Sequence, residues 1–150
     1  MNKFSSLKAG SYVYVVHDLN WNNPYDYPSE YELTKCLVIS NEVGKLEEYD
    51  IGDRWESDIV TRSVNYITIL FKNIEYRRDY DDFYDNLRNI TMTPPYDKNG
   101  PYIQVFVDED YAKQYIKETC ESNMKLINEK IEKLNFAKGL LEKSINKLNK

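Results

Sequence analysis

One histidine, two cysteines and 25 carboxylates are the groups through which this 150-residue chain could do acid–base, nucleophilic or metal chemistry. His17 closes a run of strand-forming residues. No Gly-x-Ser-x-Gly elbow, phosphate-cradling Gly-rich loop or His-Glu-x-x-His helix accompanies it. Cys36 and Cys120 stand far apart, without CxxC spacing or a second histidine, so neither a zinc site nor a redox pair is indicated. Both thiols are expected to be buried and to act as small hydrophobes. Asp81, Asp82 and Asp85 could hold a cation, but the glycine and final Glu of a calcium loop are missing. Paired carboxylates acquire catalytic roles only through proximity in three dimensions. The expectation is therefore no enzyme, no metal and no cofactor.

Two segments have the chemistry of contact surfaces. Trp21 to Tyr31 interleaves Trp21, Tyr25, Asp26 and Tyr27 with Asn, Pro and Ser. Rigid aromatic area of that kind binds at low entropic cost while small polar groups adapt. The same rings could instead fold back to plug an open barrel end. In Glu75 to Asp85, Asp81, Asp82 and Asp85 would lie opposite an aromatic stripe. They either form a solvated face or offer carboxylates to an arginine-rich groove. Trp21, Tyr25, Asp26, Tyr27, Asp81, Asp82 and Asp85 are thus the candidate partner-binding residues.

Several elements must position them. Lys8-Ala9-Gly10 supplies a turn before Ser11 to Asp18, a strand with Tyr12, Tyr14 and Val16 on one face and Val13 and Val15 on the other. Tyr31, Leu33, Leu37 and Ile39 alternate through a second strand, which the spacing predicts to end in a turn at Ser40 to Gly44. A weaker hairpin partner follows at 45–50, then an extended run over 60–71. Tyr80, Phe83, Tyr84, Leu87 and Ile90 recur at helical spacing behind Asp79 as a candidate N-cap, predicting a short amphipathic helix near 79–90. Thr93 to Pro101 reads as a loop, Tyr102 to Val107 as a last strand, and Asp108 as the cap of a long helix.

That helix carries the most regular pattern in the chain. Met124, Ile131, Lys138 and Ile145 occupy heptad position a, and Ile127, Leu134, Leu141 and Leu148 position d, with Cys120 one step upstream. Ile-rich a with Leu-rich d favours parallel dimers, and a lone Lys at a sets register at some cost in stability. A second stripe of Leu126, Ala137 and Leu140 keeps open packing of the helix on its own β-domain or antiparallel pairing.

Composition sets the frame. A hydrophobic fraction of 41% with 14% aromatics, 5 Gly and 5 Pro belongs to a folded domain rather than a disordered tail. Net charge is −5, and its acidity lies in residues 1–107, with 17 acidic and 11 basic side chains against 8 and 9 in 108–150. Such a field disfavours contact with phosphate backbones, so direct nucleic-acid binding is not expected. No stretch approaches the roughly 20 apolar residues of a membrane span, and no apolar leader opens the chain. The protein is expected in the cytoplasm, as an α+β chain with a β-rich domain over 1–107 and a self-associating helix over 108–150.

Two stretches carry a resemblance: Leu7 to Val16 (Leu-Lys-Ala-Gly-Ser-Tyr-Val-Tyr-Val-Val) and Val105 to Ile116 (Val-Phe-Val-Asp-Glu-Asp-Tyr-Ala-Lys-Gln-Tyr-Ile). The pair resembles small phage and mobile-element proteins with an SH3-like antiparallel β-barrel, in about 22 of the 150 positions. Residues 9–11 depart from the Val-Gly-Asp wording of that group, and neither the Trp21 to Tyr31 insertion nor the long coil belongs to it. The resemblance implies a barrel of phage-like origin and no enzyme activity. The expected function is a dimeric interaction module that inhibits a host defence or nucleic-acid enzyme by direct binding, in the manner of anti-CRISPR proteins. A coiled-coil scaffold component and a small-ligand or nucleotide sponge are the alternatives.

Overall fold

The computed structural model describes residues 3–19, 30–51, 57–80, 89–95 and 102–149. A 3-10 turn over Phe4–Ser6 precedes six strands: β1 (Tyr12–Asp18), β2 (Tyr31–Ile51), β3 (Ser57–Phe71), β4 (Ile74–Tyr80), β5 (Asn89–Met92) and β6 (Ile103–Phe106). The helix α1 spans Glu109–Leu148. The class is α+β. The strands form one antiparallel sheet in the order β4-β3-β2-β1-β6-β5, which curls into a nearly closed barrel. Its two outer strands approach each other, and the Arg78 guanidinium on β4 donates to the carbonyl of Thr91 on β5.

Alternation along the strands decides what the barrel encloses. Val13 and Val15 of β1 face inward with Cys36 and Val38 of β2, Ile67, Ile69 and Phe71 of β3, Ile90 and Met92 of β5, and Ile103 and Val105 of β6. The interior is thereby filled with apolar side chains, the larger of them each contributing about 1.5–3 kcal/mol on burial. Phe4 and Leu7 close one end beside Tyr80, whose ring lies 5.9 Å from that of Phe4. Gly10, at φ +91, makes the expected turn into β1, and its N–H donates to the Val38 carbonyl at 2.9 Å.

Four features differ from the sequence expectation. The predicted turn at Ser40 to Gly44 does not form. β2 instead continues to Ile51 with a bulge between Val38 and Ser40. The turn-like residues have other tasks: Asn41 ties three segments together, and Gly44 lies beneath the Tyr66 ring, where an added Cβ would come within 2.5 Å of Cε2. The run at 45–50 is accordingly part of β2 and not a separate hairpin strand. Secondly, Ile74–Tyr80 is a strand that hydrophobic period did not disclose. It returns through Lys72 and Asn73, both at positive φ (51 and 64), as a tight hairpin turn requires. Thirdly, the helix predicted near 79–90 loses both ends to strands, because Asp79 pairs with Tyr66 in β4 and Asn89 with Phe106 through β5. Residues 81–88 between them lie outside the described residues. Lastly, Cys120 is half-buried on α1, whereas Cys36 is buried as expected.

The start of α1 follows the capping rule: the Asp108 carboxylate accepts from the Asp110 N–H at 2.8 Å. Glu109 and Asp110 add negative charge to the first turn, where the helix dipole favours it. The chain divides into two compact units, residues 1–113 and 114–150. Among the described residues, no helix is long and apolar enough to cross a membrane.

Candidate interaction surfaces

The clearest unpartnered chemistry lies along α1. Of the predicted seam, Met124, Ile127, Ile131, Leu134, Leu141, Ile145 and Leu148 are all between 48% and 83% exposed. Every one stands on a single continuous helix, so the 3,4 spacing read from the sequence becomes a stripe in space. Lys138 interrupts it, with its ammonium 4.0 Å from Glu142 one turn on. Phe136, 70% exposed on another face, was not singled out by the sequence reading.

The barrel offers a different surface. Two of its outer aromatics are paired with cations: Lys35 Nζ stands 4.4 Å from the centroid of Tyr12, and the Arg77 guanidinium 4.2 Å from that of Tyr66. On β5 and β6, Gln104 Oε1 accepts from Asn89 Nδ2 and Thr91 Oγ1, both at 3.1 Å.

Beyond the barrel, β2 and β3 continue alone. Gly44 to Ile51 pairs with Ser57 to Val64, and among the described residues no third strand adds to either side. The resulting two-stranded arm is about 27 Å long. Val43 at its root and Ile59 along it are exposed. Unpaired strand edges can accept another strand, which Lys45 and Glu47 on this edge discourage. Sequence reasoning missed the arm because the apparent turn at Ser40 to Gly44 concealed its continuity.

The predicted partner-binding residues Trp21, Tyr25, Asp26, Tyr27, Asp81, Asp82 and Asp85 all lie outside the described residues. Their attachment points are nevertheless defined. The chain leaves β1 for 20–29 at the end where Asp18 pairs with Tyr31, and Leu19 N–H donates to the Glu30 carbonyl at 2.8 Å. It leaves β4 for 81–88 at the opposite end, where Tyr80 donates to Asn41 Oδ1 at 2.6 Å. The two segments therefore begin from different ends of the barrel.

His17 is buried, with its ring edge-on to Phe71 at a centroid distance of 5.5 Å and its Nδ1 without a hydrogen-bond partner among the described residues. Burial, then the nearby Lys72 ammonium, lowers its pKa, against the smaller opposing pull of Glu32 and Asp18. Its place in the barrel wall is that of a packed neutral imidazole. Burial likewise pushes the Cys36 thiol up to about 11, which keeps it protonated and unreactive. Among the described residues, no group of three His, Cys, Asp or Glu side chains is placed to hold a metal ion.

Comparison with known proteins yields no matching family model, no matching curated protein and no matching solved structure.

Proposed function

We propose that this protein is a non-enzymatic interaction module, assembled through a coiled coil in α1 and recognising a partner protein through its small SH3-like barrel. The observation that carries this reading is the exposed apolar seam of α1, a surface whose chemistry calls for another protein surface. The filled barrel adds support, since an interior occupied by Val15, Ile69, Ile103 and their neighbours leaves the outside of the domain as the place for recognition. The reading places the protein in the cytoplasm of a host cell, encoded by a phage or similar element and inhibiting a defence or nucleic-acid enzyme by direct binding. That part rests on the resemblance of the two short motifs.

The test uses the immobilised full chain, host lysate, and titration of any enzyme retained by it, with inhibition of that enzyme as the readout. Trp21→Ala with Tyr25→Ala weakens an aromatic contact at any salt concentration. Asp81→Asn, Asp82→Asn and Asp85→Asn together weaken a charge-steered one, most at low salt. Full affinity in both variants removes the two segments from the interface. If no enzyme is inhibited and the chain forms large assemblies, the scaffold reading takes over, and the same exposed seam would be its functional part.

A further inference from the structure

The seam of α1 specifies more than the presence of a neighbour. Apolar residues alternating three and four apart average 3.5 per turn, and a straight helix drifts about 20° per heptad away from that repeat. The stripe stays in line only against another helix wound around it. From Cys120 to Leu148 the seam is about 42 Å long, and covering a third of the helix circumference over that length removes roughly 600 Å² per copy. Two copies then bury roughly 1,200 Å², the lower bound of stable interfaces, with apolar residues in every layer of the seam but that of Lys138.

Lys138 decides how the copies align. When two parallel copies match residue for residue, both lysines share one layer and every other layer is apolar. A shift by one heptad sets each Lys138 against an isoleucine, and an antiparallel pair sets each against a leucine, so that two layers are disturbed instead of one. The 4.0 Å contact with Glu142 supplies each ammonium with a carboxylate at the seam's edge. Flanking positions are compatible with the matched pair, because Lys130 meets the partner's Asn135 and Ala137 meets the partner's Glu142, so like charges face each other only in the Lys138 layer.

We infer that the seam of α1 is covered by a second copy of this chain, wound parallel and in register, so that Cys120 faces the partner's Cys120. This rests on the reading of α1 as an assembly element and adds its stoichiometry, direction and register. Cys120 is a d residue one heptad before Ile127, where facing Cα atoms fall within the 4.4–6.8 Å that a disulfide spans. In an antiparallel pair the two thiols would stand roughly 40 Å apart.

The experiment takes the full chain at about 10 µM, measures its mass by sedimentation equilibrium, and then oxidises it with copper(II)–phenanthroline. Each thiolate gives one electron to copper(II) as the S–S bond forms. The expected result is twice the 17.9 kDa chain mass and rapid conversion to a disulfide dimer joined at Cys120, abolished by Cys120→Ser. Leu134→Asp with Leu141→Asp, at positions 69% and 67% exposed in the single chain, leaves the near-ultraviolet spectrum unchanged and weakens association more than 100-fold. A monomeric wild-type chain overturns both this inference and the assembly element it rests on. A trimer or tetramer overturns the two-stranded pairing. A dimer that does not cross-link overturns parallel register while leaving self-association standing.

Discussion

Asn41 is the side chain on which the closed end of the barrel most depends, and its replacement gives a quantitative test of the structure. Its Nδ2 donates to the carbonyls of Phe4 at 2.8 Å and Leu7 at 2.9 Å, and its Oδ1 accepts from the Tyr80 hydroxyl at 2.6 Å. Three segments are thus joined: the 3-10 turn, the middle of β2 and the end of β4. Each such bond contributes about 0.5–1.5 kcal/mol net, and a partly buried group left unpaired costs about 1–3 kcal/mol. Asn41→Ala should therefore destabilise the barrel by about 3 kcal/mol, and Tyr80→Phe, which removes one of the three bonds, by about 1 kcal/mol. Asn41→Asp keeps the acceptor but sets a carboxylate against two carbonyls, so it should cost at least as much as alanine. The assay is urea unfolding of the full chain followed by near-ultraviolet circular dichroism, which reports the tyrosines, 12 of the 14 lying ahead of α1. In the double variant the two losses should fall short of additive by about 1 kcal/mol, the shared bond being counted once. An Asn41→Ala variant within 0.5 kcal/mol of wild type, or full additivity with Tyr80→Phe, would refute the bridging role.

Two further outcomes concern His17 and Gly44. His17 has a pKa held below its ordinary 6.5, so the unfolded chain takes up a proton before the folded one does. The stability it lends is complete above pH 6.5 and falls as pH drops through the lowered folded value. His17→Leu should flatten this acid-side loss in denaturation profiles between about pH 7 and 5, and an unchanged slope would contradict the burial of the imidazole. Gly44→Ala should destabilise the arm by about 1–3 kcal/mol, because the new methyl displaces the Tyr66 ring from beneath Arg77. Amide exchange should become faster at the root of the arm while the β1–β6 ladder stays protected, and uniform exchange would mean that the ring yields freely.

β1, the extended run ending in Phe71, the last strand and the long helix with its Asp108 cap were all legible in the residues alone. Each of these rests on local signals: β-branched alternation, a glycine at positive φ, or an acidic side chain placed to accept from the first turn. The seam of α1 was legible for the same reason, since a helix converts sequence spacing directly into a face. The middle of the chain took its form from long-range contacts. Ser40 to Gly44 has the composition of a turn, yet Asn41 spends its polar groups on Phe4, Leu7 and Tyr80, and Gly44 makes room for Tyr66, contacts made with residues far away in sequence. The β4 strand lay hidden because Lys72-Asn73 turns without a glycine. Tyr80 and Ile90, which share a helical spacing on paper, belong to different strands whose partners, Asn65 and Val105, alone settle their conformation. Strand pairing is non-local, so a short segment's own residues do not fix it, whereas helix hydrogen bonds close within four residues and leave their imprint on the sequence.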